Sequence, residues 1–314
     1  MTADFEFLIP HSKFQIKTMP TPPWRRYAAL LLKLAFMAGA LWLVARHLDL
    51  PALGRTLRRA RPGWLVLAAA LFTLSKLISS VRLNTFFRAV DIQLTERYNL
   101  RLYWLGMFYN LFLPGGIGGD GYKVYLLGKE FPGRRGLIFR ALLLDRLSGM
   151  VALLVLLLGL LAVVPAAELR PAGALALPPW WRAVPLGLVP LGLGLSYALG
   201  RQLFGEFRRA FGRTSWEALG VQGAQVLCTW ALLAALGAAD GPVLPYLLVF
   251  LASSIAAVLP LTVGGLGARE LTFLYGAQLF ALSTPVAVSV SVLFYVITAL
   301  VSLVGAGVRS ERAR

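Results

Sequence analysis

The stretch LPGGIGGDGYK, residues 113–123, sets five glycines, a proline, an aspartate and a lysine in the middle of an apolar region. Proline ends or kinks a helix. Paired glycines free the backbone to turn and to approach a neighbour closely. Such a segment is a loop in water, a phosphate-binding turn, or a break inside a membrane, and the residues around it decide which.

The 314-residue chain is 58 % hydrophobic and 14 % charged, with a mean hydropathy of +0.71. Soluble domains stand nearer half apolar and a quarter charged. Runs such as YAALLLKLAFMAGALWLVA (27–45) and VALLVLLLGLLAVV (151–164) are too long and continuous for half-buried surface elements. A membrane-crossing helix needs about 20 mostly apolar residues. Leucine and alanine dominate these runs and favour helix over a barrel's short alternating strands. The expected fold is therefore all-α and polytopic. Six full spans are expected, near 27–45, 64–81, 137–164, 183–200, 220–239 and 285–306, flanked by a polar segment 1–26 and a basic tail 307–314. The first apolar run is followed by no A-x-A-like cleavage site and reads as an uncleaved span.

The net charge of +17 would suggest nucleic acid on a soluble protein. Here the cations sit between apolar segments, as in cytoplasmic loops facing anionic lipid, and no nucleic-acid partner is expected. Cys228 is the single cysteine and the two histidines, His11 and His47, lie far apart. No internal disulfide, cysteine metal site or cofactor is expected. Arg309, Arg312 and Arg314 place the C-terminal tail in the cytoplasm by the positive-inside rule, together with the connections holding Lys129, Arg134 and Arg135, and Arg201, Arg208, Arg209 and Arg213. Residues 46–63 break the pattern. They are basic yet fall outside by alternation, and Leu50, Leu53 and Leu57 suggest a short amphipathic helix on the membrane surface.

The opening stretch has a counterpart, LPLTVGGLGAR, at 259–269. Aligned without a gap, Leu113 falls on Leu259, Pro114 on Pro260, Gly118 and Gly119 on Gly264 and Gly265, and Gly121 on Gly267; Ile117 meets Val263 and Lys123 meets Arg269. The apolar regions 98–128 and 245–282 each carry one of these breaks. Bare backbone groups are tolerated at membrane depth only where protein or a water-filled cavity surrounds them. Interrupted segments at matching places in two halves point to a transporter's binding site. The charge pattern has the first region enter and leave from the cytoplasm and the second from outside, as two re-entrant hairpins in an inverted repeat.

Ionisable residues within membrane segments are costly and by default functional. Asp120 reads as a helix N-cap or as a headgroup or gate contact, with Lys123 one turn on as a phosphate-binding charge. Arg269 and Glu270 read as a helix-start pair or as the second half of that site. Asp145 and Arg146 read as an interfacial or buried pair. Lys76 reads as a cation that snorkels to an interface, and Trp64, Trp104, Trp180 and Trp181 as interfacial anchors.

Asn110, then LPGGIGGDGYK, then LLLDRLSG, and later LPLTVGGLGARE occur in one order. In this the chain resembles the flippase-like transmembrane domain of lysylphosphatidylglycerol synthetases over residues 25–306. The resemblance marks Asn110, Pro114, Gly115, Gly118, Gly119, Asp120, Lys123, Asp145, Arg146, Gly149, Gly264, Gly265, Gly267 and Glu270. Leu261-Thr262 departs from it, where the family often has a further proline or glycine. In two-domain relatives a soluble domain makes aminoacyl-phosphatidylglycerol and the membrane domain translocates it. The resemblance implies, for these 314 residues, translocation without synthesis in a bacterial inner membrane. The substrate would be a polar or anionic lipid held by Asn110, Asp120, Lys123, Asp145, Arg146, Arg269 and Glu270. A homo-oligomer or a lipid-biosynthesis enzyme is the further partner to be expected. The rival is a membrane enzyme acting on a lipid or isoprenoid phosphate, against which stands the lack of a paired-carboxylate metal motif or a nucleophile–base set. No nucleotide loop G-x-x-x-x-G-K-[ST] is present, and GGIGGDGYK lacks its spacing.

Overall fold

The computed structural model describes residues 42, 50–112, 118–165, 168, 182–258 and 267–307. Among these residues the regular elements are helical: α1 Leu50–Arg58, α2 Pro62–Ala89, α3 Glu96–Phe112, α4 Gly118–Glu130, α5 Arg135–Val163, α6 Ala183–Leu203, α7 Phe211–Ala235, α8 Val243–Val258, α9 Ala268–Leu279 and α10 Thr284–Leu303. The expected span 27–45 and the tail 307–314 lie outside the described residues, apart from Trp42 and Gly307. So do Pro114, Gly115, Pro260, Gly264 and Gly265 at the cores of the two breaks.

Among the described residues, five helices are long and apolar enough to cross a membrane: α2, α5, α6, α7, and α10 with its 3-10 continuation to Gly307. Helix α2 shows how they are built. Its exposed positions include Val66, Leu67, Leu74 and Leu77, whereas Ser75, Ser79, Ser80, Arg82 and Asn84 are buried. These polar residues share the interior with Ala68, Phe72, Leu83, Phe86 and Phe87, while leucine and valine face outward; a bundle whose solvent is lipid sorts its residues in this way. Helix α6 exposes Leu186, Leu188, Leu191, Leu193, Leu195 and Leu199. The polar run from Ser75 to Asn84 looks in sequence like the end of the expected span 64–81. It is the interior face of a helix that continues to Ala89.

Helix α2 pairs closely with α7. At one end the Arg61 N–H donates to Ala235 O at 2.9 Å, and Trp64 meets Trp230 edge-on at 5.3 Å. At the other end of α2, Arg134 Nη1 donates to Val90 O at 2.7 Å, joining the start of α5. The basic residues of α1 and its connection to Arg61 thus lie at the end of the bundle opposite Arg134 and Arg135, as alternation requires. Helix α1 packs on α10.

The two broken regions form two packed helix pairs, α3 with α4 and α8 with α9. At 1.5 Å per residue the four helices are about 26, 20, 24 and 18 Å long, each short of the ~30 Å hydrocarbon core. The α3–α4 pair opens where α2 ends: Tyr98 Oη donates to Glu130 Oε1 at 2.9 Å, and Tyr98 shares a core with Val90 and Ile138. The α8–α9 pair opens at the other end. There Ser283 N–H donates to Tyr246 Oη at 3.1 Å, and Leu248 packs on Val164 just past α5. Trp104 Nε1 donates to Val301 O at 2.9 Å, fixing α3 to α10.

Candidate functional site

Helix α4 is described from Gly118 on, and its first described turn is held from α3. The Gly119 N–H donates to Asn110 Oδ1 at 2.8 Å. Asp120 is therefore not the capping residue. Its side chain is left for Arg146 Nε on α5, at 2.5 Å from Oδ2, and for Lys123 Nζ, at 3.3 Å from Oδ1. Close approach makes this possible. A Cβ on Gly119 would lie 2.0 Å from Gly106 O, and one on Gly106 would lie 2.4 Å from Lys123 Cε. The two glycines let α3 and α4 touch and leave the lysine stem a path, so that Nζ stands 4.7 Å from the Tyr103 ring centre.

Asp145 and Arg146 do not pair with each other. Successive helical residues point about 100° apart, and while Arg146 turns to Asp120, Asp145 Oδ1 accepts Arg82 Nε at 2.8 Å. Arg82 is 4 % exposed. Gly149 lies against it: a Cβ there would stand 3.6 Å from both terminal guanidinium nitrogens, an ordinary contact distance. Gln222 Nε2 donates to Gly149 O at 3.2 Å, tying α7 to the same place.

At the second break Gly267 has φ of 90°, a left-handed conformation that glycine adopts without Cβ strain. Its N–H donates to Glu270 Oε2 at 2.7 Å, and Ser291 Oγ on α10 donates to Oε1 at 3.1 Å. Glu270 thus closes its own helix start and does not bridge to Arg269. Arg269 instead lies over aromatic rings, with Cζ 4.5 Å from the Phe294 centre and 5.7 Å from that of Phe250. Each break so presents a cation resting on an aromatic: Lys123 on Tyr103 and Arg269 on Phe250 and Phe294. Among the described residues, only the first has an aspartate beside it.

Among the expected residues, Asn110, Gly118, Gly119, Asp120, Lys123 and Arg146 come together across α3, α4 and α5. Asp145 joins through α2, while Gly267, Arg269 and Glu270 form the second group. Gly121 has open space around it. Lys76 does not snorkel: it stands near the midpoint of α2, about 20 Å from either end at 1.5 Å per residue, with Nζ 4.6 Å from the Phe72 ring centre. Arg82, Tyr103, Gln222 and Ser291 were not singled out by sequence. For Arg82 a signal existed: Ser75, Ser79 and Arg82 repeat at helical spacing on from the apolar run.

A half-buried carboxylate held by two cations, as Asp120 is, where helices meet inside an apolar bundle, can exchange partners with a charged group that enters. The description Lysylphosphatidylglycerol synthase TM region belongs to the family that matches residues 30–305. No curated protein matches the chain.

Proposed function

We propose, for a chain that belongs to the lysylphosphatidylglycerol synthase TM region family, that it moves a polar or anionic lipid between the leaflets of a bacterial inner membrane. In this reading the two helix pairs are re-entrant hairpins. The headgroup passes between their tips while the acyl chains remain in lipid. The observation that carries it is the Asp120 bridge. A carboxylate at the tip of a helix too short to span is held by Lys123 of its own turn and by Arg146 of a spanning helix. A headgroup offering an anion and a donor substitutes for either contact, so the site opens without leaving a bare charge in the interior. The opposed openings of α3–α4 and α8–α9 support entry from either face, and the exposed leucines of the spans support a path bounded by lipid.

The test is translocation of headgroup-labelled lipids in proteoliposomes, read by quenching with a membrane-impermeant reductant, across anionic, zwitterionic and cationic headgroups. Faster loss of inner-leaflet label than in empty liposomes, for at least one class, supports the reading. Rates equal to empty liposomes for every class refute it.

A further inference from the structure

Phe72, Lys76, Ser79 and Arg82 follow one another on α2 at spacings of three and four residues, which places them along one face. The Phe72 end reaches the second break. Phe72 meets Phe294 edge-on at 5.4 Å, Phe250 lies 5.1 Å from Phe294, and Arg269 Cζ stands 4.5 Å from the Phe294 centre. Lys76 Nζ is 4.6 Å from the Phe72 centre. Lys76 and Arg269 therefore stand at two ends of one run of contacting rings.

The nearby carboxylates are already engaged. Asp145 holds Arg82, Asp120 holds Lys123 and Arg146, and Glu270 serves Gly267 and Ser291. Glu270 lies next to Arg269 in sequence, yet its oxygens accept from Gly267 and Ser291 and it forms no ion pair with Arg269. Among the described residues, Lys76 and Arg269 have aromatic faces in place of a carboxylate. Arg269 Nη1 and Arg82 Nη1 are buried donors without an acceptor. The repeat explains the asymmetry: the position aligned with Asp120 is Leu266. Uncompensated cations at membrane depth are costly and mark ion pathways. Arginine offers a fork that fits phosphate oxygens, and lysine a point charge.

We propose that Lys76 and Arg269 form an anion site at mid-depth that takes the phosphate of a lipid headgroup. This rests on the translocation reading and adds to it the headgroup's chemical class and a residue, Lys76, outside both hairpins. The Arg82–Asp145 pair, further along the same face of α2, bounds the site on one side.

The test uses the full chain in maltoside micelles, titrated with short-chain phosphatidic acid and, separately, an uncharged short-chain glucosyl diacylglycerol, with bound lipid read by native mass spectrometry. Lys76→Gln and Arg269→Gln each weaken phosphatidic acid binding by about tenfold or more, the effect of losing one charge-assisted contact. Glucosyl lipid binding stays unchanged. Lys76→Arg and Arg269→Lys keep most of the affinity, which separates loss of charge from loss of fold. Phosphatidic acid binding that is equal in wild type and both glutamine variants overturns the site. Inorganic phosphate that binds as tightly as phosphatidic acid overturns the lipid assignment. Translocation of the same variants tells the two proposals apart. Charge-dependent binding without translocation by wild type leaves the anion site standing and removes the flipping reading. Wild-type translocation with charge-independent binding does the reverse.

Discussion

Replacing Asp120 by Asn tests whether the bridge at the first hairpin is structural currency or a loosely held contact. The side chain of Lys123 is 6 % exposed and that of Arg146 35 % exposed. Removing one partner of a buried ion pair costs about 3–5 kcal/mol, because the other charge is left uncompensated. Arg146 is exposed enough to turn to polar surroundings, so its share is screened and small. The cost then comes mainly from Lys123 and stands at the low end of that range, about 3 kcal/mol. Arg146→Gln leaves the Lys123–Asp120 contact at 3.3 Å in place and costs about 1 kcal/mol. Once Asp120 is neutral, Arg146→Gln has little more to remove, so the double variant loses less than the sum. Unfolding in mixed micelles by increasing mole fraction of sodium dodecyl sulfate, followed by tryptophan fluorescence, gives all three values. Asp120→Asn within about 0.5 kcal/mol of wild type, or costs that add within that margin, would refute the bridge.

Gly119→Ala drives a Cβ to 2.0 Å from the Gly106 carbonyl and is expected to cost about 2 kcal/mol by overpacking. Gly121→Ala, two residues on in open space, gains up to about 1 kcal/mol from helix propensity; the same unfolding titration compares them. Arg82→Gln strands Asp145 in the interior and is expected to lower stability by about 3–5 kcal/mol, most of which returns in Arg82→Gln with Asp145→Asn. Cys228 is 0 % exposed, so a maleimide reagent labels it in unfolded protein and not in the native membrane, as gel-shift or mass measurement would show.

Five of the six expected spans, and the helix pairs on either side of the Gly/Pro clusters, were legible because each rests on local composition. A run of leucine and alanine, or a Pro-Gly-Gly cluster within one, carries its meaning within about 20 residues. Asp120 and Lys123 were legible for the same reason, being one turn apart. Pairings set by packing between helices were not. Asp145 and Arg146 look like a pair in sequence, yet the helix turns them to different neighbours, Arg82 on α2 and Asp120 on α4. Asn110 was marked by resemblance alone; its work of closing the start of α4 needs the fold to bring it back to Gly119. Arg82 and Lys76 were undervalued because buried serines made α2 look shorter than it is, which put Arg82 outside the span and Lys76 near its end. Polar residues at helical spacing beyond an apolar run are therefore better read as an interior face than as a terminus.

The most direct measurement of the central claim is headgroup translocation by wild type, Asp120→Asn and Gly121→Ala at equal density in the same proteoliposomes. The account predicts that wild type and Gly121→Ala accelerate translocation alike, and that Asp120→Asn falls by about tenfold or more, the effect of one charge-assisted contact. Equal rates in all three, whether matching empty liposomes or exceeding them, would contradict it.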